Sequence, residues 1–212
     1  MRSSEKDFET LQLGAFATPD LLLAQGPVGL TAESGFKQSN EMRVLVYGFG
    51  PYRQFRDNIT AKILKILPES DALKKIVFPV RFDEKQFVRA LKRHRPDIVL
   101  GLGQSSRRNM EVEARAVNRK RAQTSDRPKR ISAKGPKWLP TTLEIKAGRQ
   151  AGKSTSAGDY VCNYSMYVML DHIARKNLKI PFAFVHIPHD CDWRKASRFV
   201  QRVLRQCTGR VR

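Results

Sequence analysis

Cysteine is scarce in this 212-residue sequence, which contains only Cys162, Cys191 and Cys207. An odd number without Cys-x-x-Cys spacing argues against a disulfide framework and a structural zinc site, and it leaves at least one thiol free. No apolar run approaches the roughly 18 residues that a membrane span requires, and the N-terminus lacks the basic-then-apolar order of a signal peptide. These absences predict a soluble, cytoplasmic protein that has no membrane partner and needs no cofactor or metal.

Acidic residues are also few, since 20 Asp and Glu accompany 40 Lys and Arg and leave a net charge of +20. Such a charge attracts nucleic acid, anionic surfaces or acidic partners without specifying a fold. The basic residues concentrate between Gln104 and Trp138. Interspersed Ser, Pro and Gly, together with the lack of aromatics for base stacking, favour a solvated, mobile loop. The alternative, a catalytically weak or inactive scaffold in which residues 105–137 bind RNA or another polyanion, stays open.

The chain divides into two parts of different composition. Residues 1–41 mix polar residues with Gly and Pro and are expected to be a poorly ordered N-terminal extension. Residues 42–212 have the length of one domain that can bury a substantial core. No internal repeat is visible.

Within residues 42–212, strand and helix patterns alternate, which predicts a single α/β/α layered domain with a mostly parallel, mixed central sheet. Asn58 and Asp83 are expected to cap helices. Pro79 indicates that the strand around it lies at a sheet edge or contains a bulge. The predicted strands cover residues 43–47, 75–82, 96–101 and 181–187, and the predicted helices cover 59–67, the stretch after 83, a turn or two at 142–148, the stretch after 160, and 193–207.

The stretch SAGDYVCNY, residues 156–164, places Cys162 where a turn runs into a helix. Gly158 suits the turn, because glycine tolerates backbone angles that other residues avoid. From Val161 on, apolar residues recur at three- and four-residue steps, the spacing of one helix face. Unpaired N–H groups and the positive end of the helix dipole favour a thiolate in such a first turn. A small buried hydrophobe is the commoner role of a lone cysteine.

Three reactive groups follow predicted strands or begin a helix. Glu113 comes after the third strand, Cys162 starts a helix, and His186 ends the last strand. Carboxyl ends of strands in open α/β sheets converge on one crevice. A thiol, an imidazole and a carboxylate meeting there would form a Cys-His-acid triad. A hydrogen-bonded core histidine and a surface glutamate are the alternatives.

Four segments in order resemble pyroglutamyl peptidase I, also called pyrrolidone-carboxylate peptidase. RVLVYGFGPYRQFRDNITAKIL resembles the family's strand followed by T-G-F-x-P-F and N-P-S, and GLGQSSRRNMEVEARAVN resembles its G-x-x-x-G-R segment followed by E-R-V-A-I-N. SAGDYVCNY is similar to S-A-G-T-Y-V-C-N-Y, and FVHIP to F-I-H-V-P. The matches span residues 43–188.

The resemblance implies a cysteine exopeptidase that acts through a thioester on peptides with an N-terminal pyroglutamate. By position, Cys162 would be the nucleophile, His186 the general base and then acid, and Glu113 the residue that orients His186. Family members are often tetramers, so a homo-oligomer is also implied.

The substrate-binding residues are likewise implied by the resemblance. Two aromatics that enclose the pyroglutamyl ring in the family map onto Phe49 and Tyr52, and Gln104 would hydrogen-bond to the lactam. The alternatives are core positions for the two rings and an exposed loop position for Gln104. One departure concerns an arginine near the family's active site, which is replaced here by Gln123.

Overall fold

The computed structural model of the chain describes residues 41–52 and 55–209. The predicted N-terminal extension, residues 1–41, lies outside these ranges apart from its last residue, so its boundary stays a prediction. None of the helices in the described ranges is long and apolar enough to cross a membrane. The cytoplasmic location and the homo-oligomeric assembly stay predictions.

The described elements alternate between strands and helices for most of the chain. They are β1 (Val44–Phe49), α1 (Ile59–Ile66), β2 (Leu73–Phe78), α2 (Glu84–His94), β3 (Ile98–Ser105), β4 (Met110–Glu113), β5 (Arg115–Val117), β6 (Trp138–Pro140), a 3₁₀ turn (Gly148–Gln150), β7 (Ala151–Ser154), α3 (Val161–Arg175), β8 (Phe182–Pro188) and α4 (Trp193–Cys207).

Six strands form one sheet in the order β2-β1-β3-β8-β4-β7. Neighbouring strands are parallel except β4 and β8, which are antiparallel. This arrangement confirms the predicted α/β domain with a mostly parallel, mixed sheet. The strands β5 and β6 pair with each other as a separate antiparallel ribbon.

The two faces of the sheet carry separate hydrophobic clusters because side chains alternate along each strand. In β8, Phe182 and Phe184 belong to the cluster that α2 and α3 cover, whereas Ala183 and Val185 belong to the cluster under α1 and α4. The same alternation places His186 on the α3 side of the sheet.

Side-chain caps mark the starts of α1, α2 and α4. Asn58 and Asp83 accept hydrogen bonds of 3.0 and 2.9 Å from backbone N–H groups two residues further on, as predicted, and Asp192 does the same for α4. The exception is α3, whose N-cap residue Tyr160 makes no side-chain capping bond. The first-turn N–H groups of α3 are therefore not used by a side-chain cap.

Several predicted boundaries need correction. The strand predicted at residues 75–82 is β2, which ends at Phe78, so Pro79 follows the strand instead of interrupting it. The edge position that Pro79 indicated is nevertheless the one that β2 occupies. The helical turn predicted at residues 142–148 is wrong: the N–H groups of Thr142 and Leu143 bond to the carbonyl of Phe182, so this segment lies beside β8.

Four strands, β4 to β7, have no counterpart among the sequence predictions. Each has only three or four residues, which is too short to show a period of two. The interpretation of the basic segment between Gln104 and Trp138 as a loop is wrong in part, because the segment contains β4 and β5 and reaches β6 at Trp138.

Candidate active site

Glu113 and His186 lie side by side on β4 and β8. Glu111 is directly opposite His186 in the antiparallel register, so Glu113, two residues further along β4, lies on the same sheet face. Oε1 of Glu113 is 2.6 Å from Nδ1 of His186. Glu113 is fully buried and His186 nearly so. The contact is a short, charge-assisted hydrogen bond that leaves Nε2 of the imidazole for a second partner.

Cys162 is a second partner of this imidazole. It is the second residue of α3, in the first turn as predicted, and it lines the same pocket as His186. Its interaction with the imidazole raises the pKa of His186. Gly158 adopts a positive φ of 76° in the turn that leads into the helix, a conformation that glycine reaches without strain. The structure therefore brings Glu113 and His186 into direct contact and places Cys162 at the same pocket as the imidazole.

The electrostatic environment of His186 favours a positive charge on its imidazole. Burial opposes a charged His186, but its contacts with Cys162 and Glu113 outweigh burial and raise the pKa of His186 to about 9. Burial also opposes a charged Glu113, yet the hydrogen bond and charge of His186, with Ser154 and Arg107, hold the pKa of Glu113 below its ordinary value. An imidazolium between carboxylate and sulfur is the favoured form at neutral pH.

Arg107 is a further charged group beside the carboxylate, and the sequence interpretation did not assign it to the site. Its Nη1 is 3.2 Å from Oε1 of Glu113 and 3.0 Å from Oγ of Ser154, and it also bonds to the carboxylate of Glu111. Its Nη2 donates to the carbonyl of Ser156. Arg107 thus connects β4, β7 and the turn before α3. Its place in the G-x-x-x-G-R segment was the available signal.

A pocket of about 380 Å³ opens beside Cys162 and His186. Most of its exposed wall surface is apolar, and about half of its lining residues are polar or charged. Small-ligand sites likewise combine apolar walls with polar groups that fix the ligand's orientation. Phe49, Tyr52 and Gln104, the three predicted substrate-binding residues, all line this pocket. The remaining lining residues are Phe55, Asn58, Val80, Ser105, Ser106, Arg107, Ala157, Gly158, Asp159, Tyr160, Val161 and His189.

The three predicted substrate-binding side chains differ in how firmly they are held. Phe49 is 2% exposed and belongs to the core cluster, so most of its surface has a packing role. The ring of Tyr52 packs against that of Tyr160 at a tilt of 38°, with 4.9 Å between centroids. Oε1 of Gln104 accepts a hydrogen bond from the N–H of Ile59 at 2.9 Å, which fixes the carboxamide. Its NH₂ group is then the part that can donate a hydrogen bond to a ligand.

The ring of His186 depends on a glycine in the neighbouring strand. A Cβ at Gly103 would lie 2.8 Å from Cδ2 of His186 and 2.7 Å from the Phe184 ring, closer than side-chain carbons pack. Only glycine lets β3 approach the imidazole this closely.

Gln123 replaces the arginine that the resemblance places near the active site, and it does not line the pocket beside Cys162. It borders an adjoining cavity of about 180 Å³ together with Tyr52, Arg121 and Asp159. Nε of Arg121 lies 2.8 Å from Oδ2 of Asp159, so the arginine at this end of the site is already paired with a carboxylate.

Sequence comparison agrees with this geometry. A family model described as pyroglutamyl peptidase matches residues 42–192. Pyrrolidone-carboxylate peptidase 1 of Caldanaerobacter subterraneus subsp. tengcongensis is 32% identical over 168 residues, which cover 70% of this chain and 83% of that protein. The pyrrolidone-carboxylate peptidase of Bacillus subtilis is 30% identical over 168 residues, covering 69% and 78%.

Solved structures give the same result. A mutant pyrrolidone carboxyl peptidase from Pyrococcus furiosus superposes with a TM-score of 0.70 and 26% identity, covering 77% of this chain and 96% of that one. Pyroglutamyl peptidase I from Bacillus amyloliquefaciens gives a TM-score of 0.68 and 25% identity, covering 77% and 93%. With a family model matched across most of the chain, the chain belongs to the pyroglutamyl peptidase family of cysteine peptidases.

Proposed function

We propose that the chain is a cysteine exopeptidase that hydrolyses the bond after an N-terminal pyroglutamyl residue in peptides. The observation that carries this proposal is the hydrogen bond between Glu113 and His186, with Cys162 and the imidazole at the wall of one mainly apolar pocket. Family membership supports the same substrate class, because the similar proteins named above are pyrrolidone-carboxylate peptidases.

Cys162 is the nucleophile in this proposal. Its thiolate attacks the acyl carbonyl of the pyroglutamyl residue, and the C–N bond to the next residue breaks to leave a thioester on Sγ. The first-turn N–H groups of α3 make no side-chain capping bond. In this proposal they bond to the carbonyl oxygen as negative charge collects on it. A preorganised oxyanion site of this kind needs no rearrangement during the reaction.

His186 moves the protons in the two halves of the reaction. As an imidazolium it donates a proton from Nε2 to the departing amine, and as the neutral base it then takes a proton from the water that cleaves the thioester. Glu113, bonded to Nδ1, orients the ring and stabilises its charged form. Proton transfer by a positioned group contributes about 10²–10⁴-fold to a rate.

The pocket supplies selectivity for an uncharged ring. A pyroglutamyl ring carries a lactam in place of the charged amine of an ordinary N-terminus, so it fits between Phe49 and Tyr52 without burying a charge. The NH₂ group of Gln104 is oriented to donate to the lactam oxygen because its own carbonyl is held by the backbone of α1.

A selectivity assay tests the proposal directly. The purified chain should release arylamine from pyroglutamyl-arylamide about 10²-fold faster, or more, than from prolyl-arylamide. The two substrates share a five-membered ring, but proline lacks the lactam carbonyl and carries a positive charge that the pocket would have to bury. Comparable kcat/KM values for both substrates, or release from neither, would refute the assignment.

The pH profile should decline on the alkaline side near pH 9. The raised pKa of His186 means that the imidazolium is fully present well below pH 9 and is lost as the pH rises through about 9. Once it is lost, kcat/KM should fall about tenfold per pH unit, since this parameter reports ionisations of the free enzyme. Activity regained on return to neutral pH would separate titration from unfolding. A decline centred near pH 6.5 would contradict the ion-paired imidazole.

A further inference from the structure

The segment of residues 115–140, named here the basic hairpin, comprises β5, β6 and the loop that joins them. It contains nine Lys and Arg and a single acidic residue, Asp126, so its net charge is 9 − 1 = +8 in 26 residues. The peptidase mechanism uses none of these cations. The charge density far exceeds what keeps a domain of this size in solution.

Two buried asparagines hold the basic hairpin in a fixed conformation. The side chain of Asn118 accepts the N–H groups of Ile131 and Ser132 at 2.9 Å each and donates to the carbonyls of Ser132 and Gly135. Asn163, in α3, bonds to both backbone groups of Val117 at 2.8 Å. The basic side chains therefore project from an ordered scaffold, which lowers the entropy lost when they bind a ligand.

Most of the cations on this scaffold face solvent without a carboxylate partner. Among the described residues, the hairpin salt bridges are those of Arg119 and Arg121 to Asp159. The exposed cations that form no salt bridge with a described acidic residue are Arg127, Lys129, Arg130, Lys134 and Lys137.

An exposed aromatic ring lies on the same hairpin. Trp138 in β6 is 50% exposed, unusual for the largest apolar side chain. It pairs in register with Val117, and the guanidinium carbon of Arg115 lies 5.8 Å from the centre of its ring. An accessible indole beside a guanidinium offers a planar surface on which a nucleobase can stack.

We propose that the basic hairpin binds single-stranded nucleic acid. The unpaired cations contact successive phosphates, and the Trp138 ring stacks on an exposed base. This combination favours a single strand over an acidic protein, which has no bases to stack, and over a duplex, whose bases are already stacked. RNA and DNA share this chemistry. The surface lies on the α3 side of the sheet and none of its five unpaired cations lines the peptidase pocket.

The test is fluorescence anisotropy with a labelled, unstructured 20-nucleotide RNA, the same sequence as DNA, and its duplex, across a salt series. The test variant reverses Arg127, Lys129 and Lys137 to Glu. The control variant reverses Lys65, Lys195 and Arg198, exposed cations of α1 and α4 on the opposite face of the sheet. Both variants lose one arginine and two lysines, so their net charge is the same. A third variant is Trp138→Ala.

The hairpin variant should bind single strands at least about tenfold more weakly, and its slope of log affinity against log salt should fall by about 2, because each phosphate contact on a single strand contributes about 0.7. Trp138→Ala should weaken binding about tenfold with an unchanged slope. The control variant should change affinity by less than about threefold, because its substitutions lie away from the proposed binding surface. Tighter binding of RNA than of DNA would identify RNA as the ligand, and the reverse would identify DNA.

Equal weakening by both triple variants, duplex binding as tight as single-strand binding, or no effect of Trp138→Ala would each overturn the proposal. So would Trp138-dependent self-association without nucleic-acid binding. Retained peptidase turnover and thermal stability show that a variant is folded. If a variant does not fold, photocrosslinking of the wild-type chain to 4-thiouridine RNA decides: crosslinks on the hairpin peptide containing Trp138 support the surface, and crosslinks only elsewhere refute it.

Discussion

Replacing Cys162 with serine is expected to lower kcat/KM for a pyroglutamyl-arylamide by at least about 10⁴-fold. The substitution exchanges sulfur for oxygen and leaves the pocket shape nearly unchanged. A serine hydroxyl does not ionise beside an imidazole at neutral pH, whereas the reactive form of cysteine is the thiolate that such a partner stabilises. Arylamine release with enzyme in excess over substrate would measure the residual rate, and Cys162→Ala would give the baseline without any nucleophile.

The other two cysteines provide matched controls. Cys191 and Cys207 are also half-buried free thiols, but they pack against the cluster under α1 and α4, on the opposite face of the sheet. Cys191→Ser and Cys207→Ser should keep activity within about threefold, as typical for substitutions remote from the chemistry. Serine at 162 with wild-type turnover, or equal loss at 191, would show that Cys162 is not the nucleophile.

Alkylation provides an independent readout of the same prediction. Burial raises the pKa of the Cys207 thiol to about 11 and also raises the pKa of Cys191, so both are mainly protonated and slow to react at neutral pH. Iodoacetamide should therefore abolish activity as one carboxamidomethyl group is added at Cys162. Loss of activity that tracks modification at Cys207 would contradict this expectation.

Local features of the fold could be read from the sequence because their causes are local. The caps Asn58 and Asp83 are recognisable by residue type and by the apolar periodicity that follows. The bounds of α4, Trp193–Cys207, agree with the periodic pattern from end to end. Gly158 marks the turn before α3 because few other residues tolerate its positive φ.

Long-range pairing could not be read in this way. The contact between Glu113 and His186 joins residues 73 positions apart, and it exists because β8 inserts between β3 and β4. No periodicity encodes that strand order, and β4 is too short to show a pattern at all. The convergence of strand ends and the resemblance to a family both suggested that these two side chains meet, but neither specified the contact.

Other residues with specific roles could not be recognised from their charge or polarity. Arg107 is one cation in a long basic run, and only its place in the G-x-x-x-G-R segment distinguishes the guanidinium that reaches Glu113 from those that face solvent. Asn118 and Asn163 resemble ordinary polar residues in sequence, yet both are buried and fix the backbone of the basic hairpin. Their roles depend on hydrogen bonds to backbone groups that come close only in the folded chain.

Replacing Glu113 with glutamine is expected to lower kcat by about 10³-fold. Glutamine keeps the size of the side chain but removes the negative charge that stabilises the imidazolium, and its NH₂ group can force the ring into the wrong tautomer. Without the carboxylate, the pKa of His186 should move down from about 9, so the alkaline decline of kcat/KM should move to lower pH. A role confined to packing would lower stability without moving that decline.

Glu111→Gln is the matched control, because Glu111 lies on the same strand and also pairs with Arg107. Glu111 makes no side-chain contact with His186 among the described hydrogen bonds, and it is partly exposed. We expect Glu111→Gln to change kcat less than about tenfold and to leave the alkaline decline near pH 9, since only a surface-accessible ion pair is weakened. Equal losses in the two variants would mean that the network around Arg107 matters as a whole. They would remove Glu113 from its proposed role as the group that orients the imidazole.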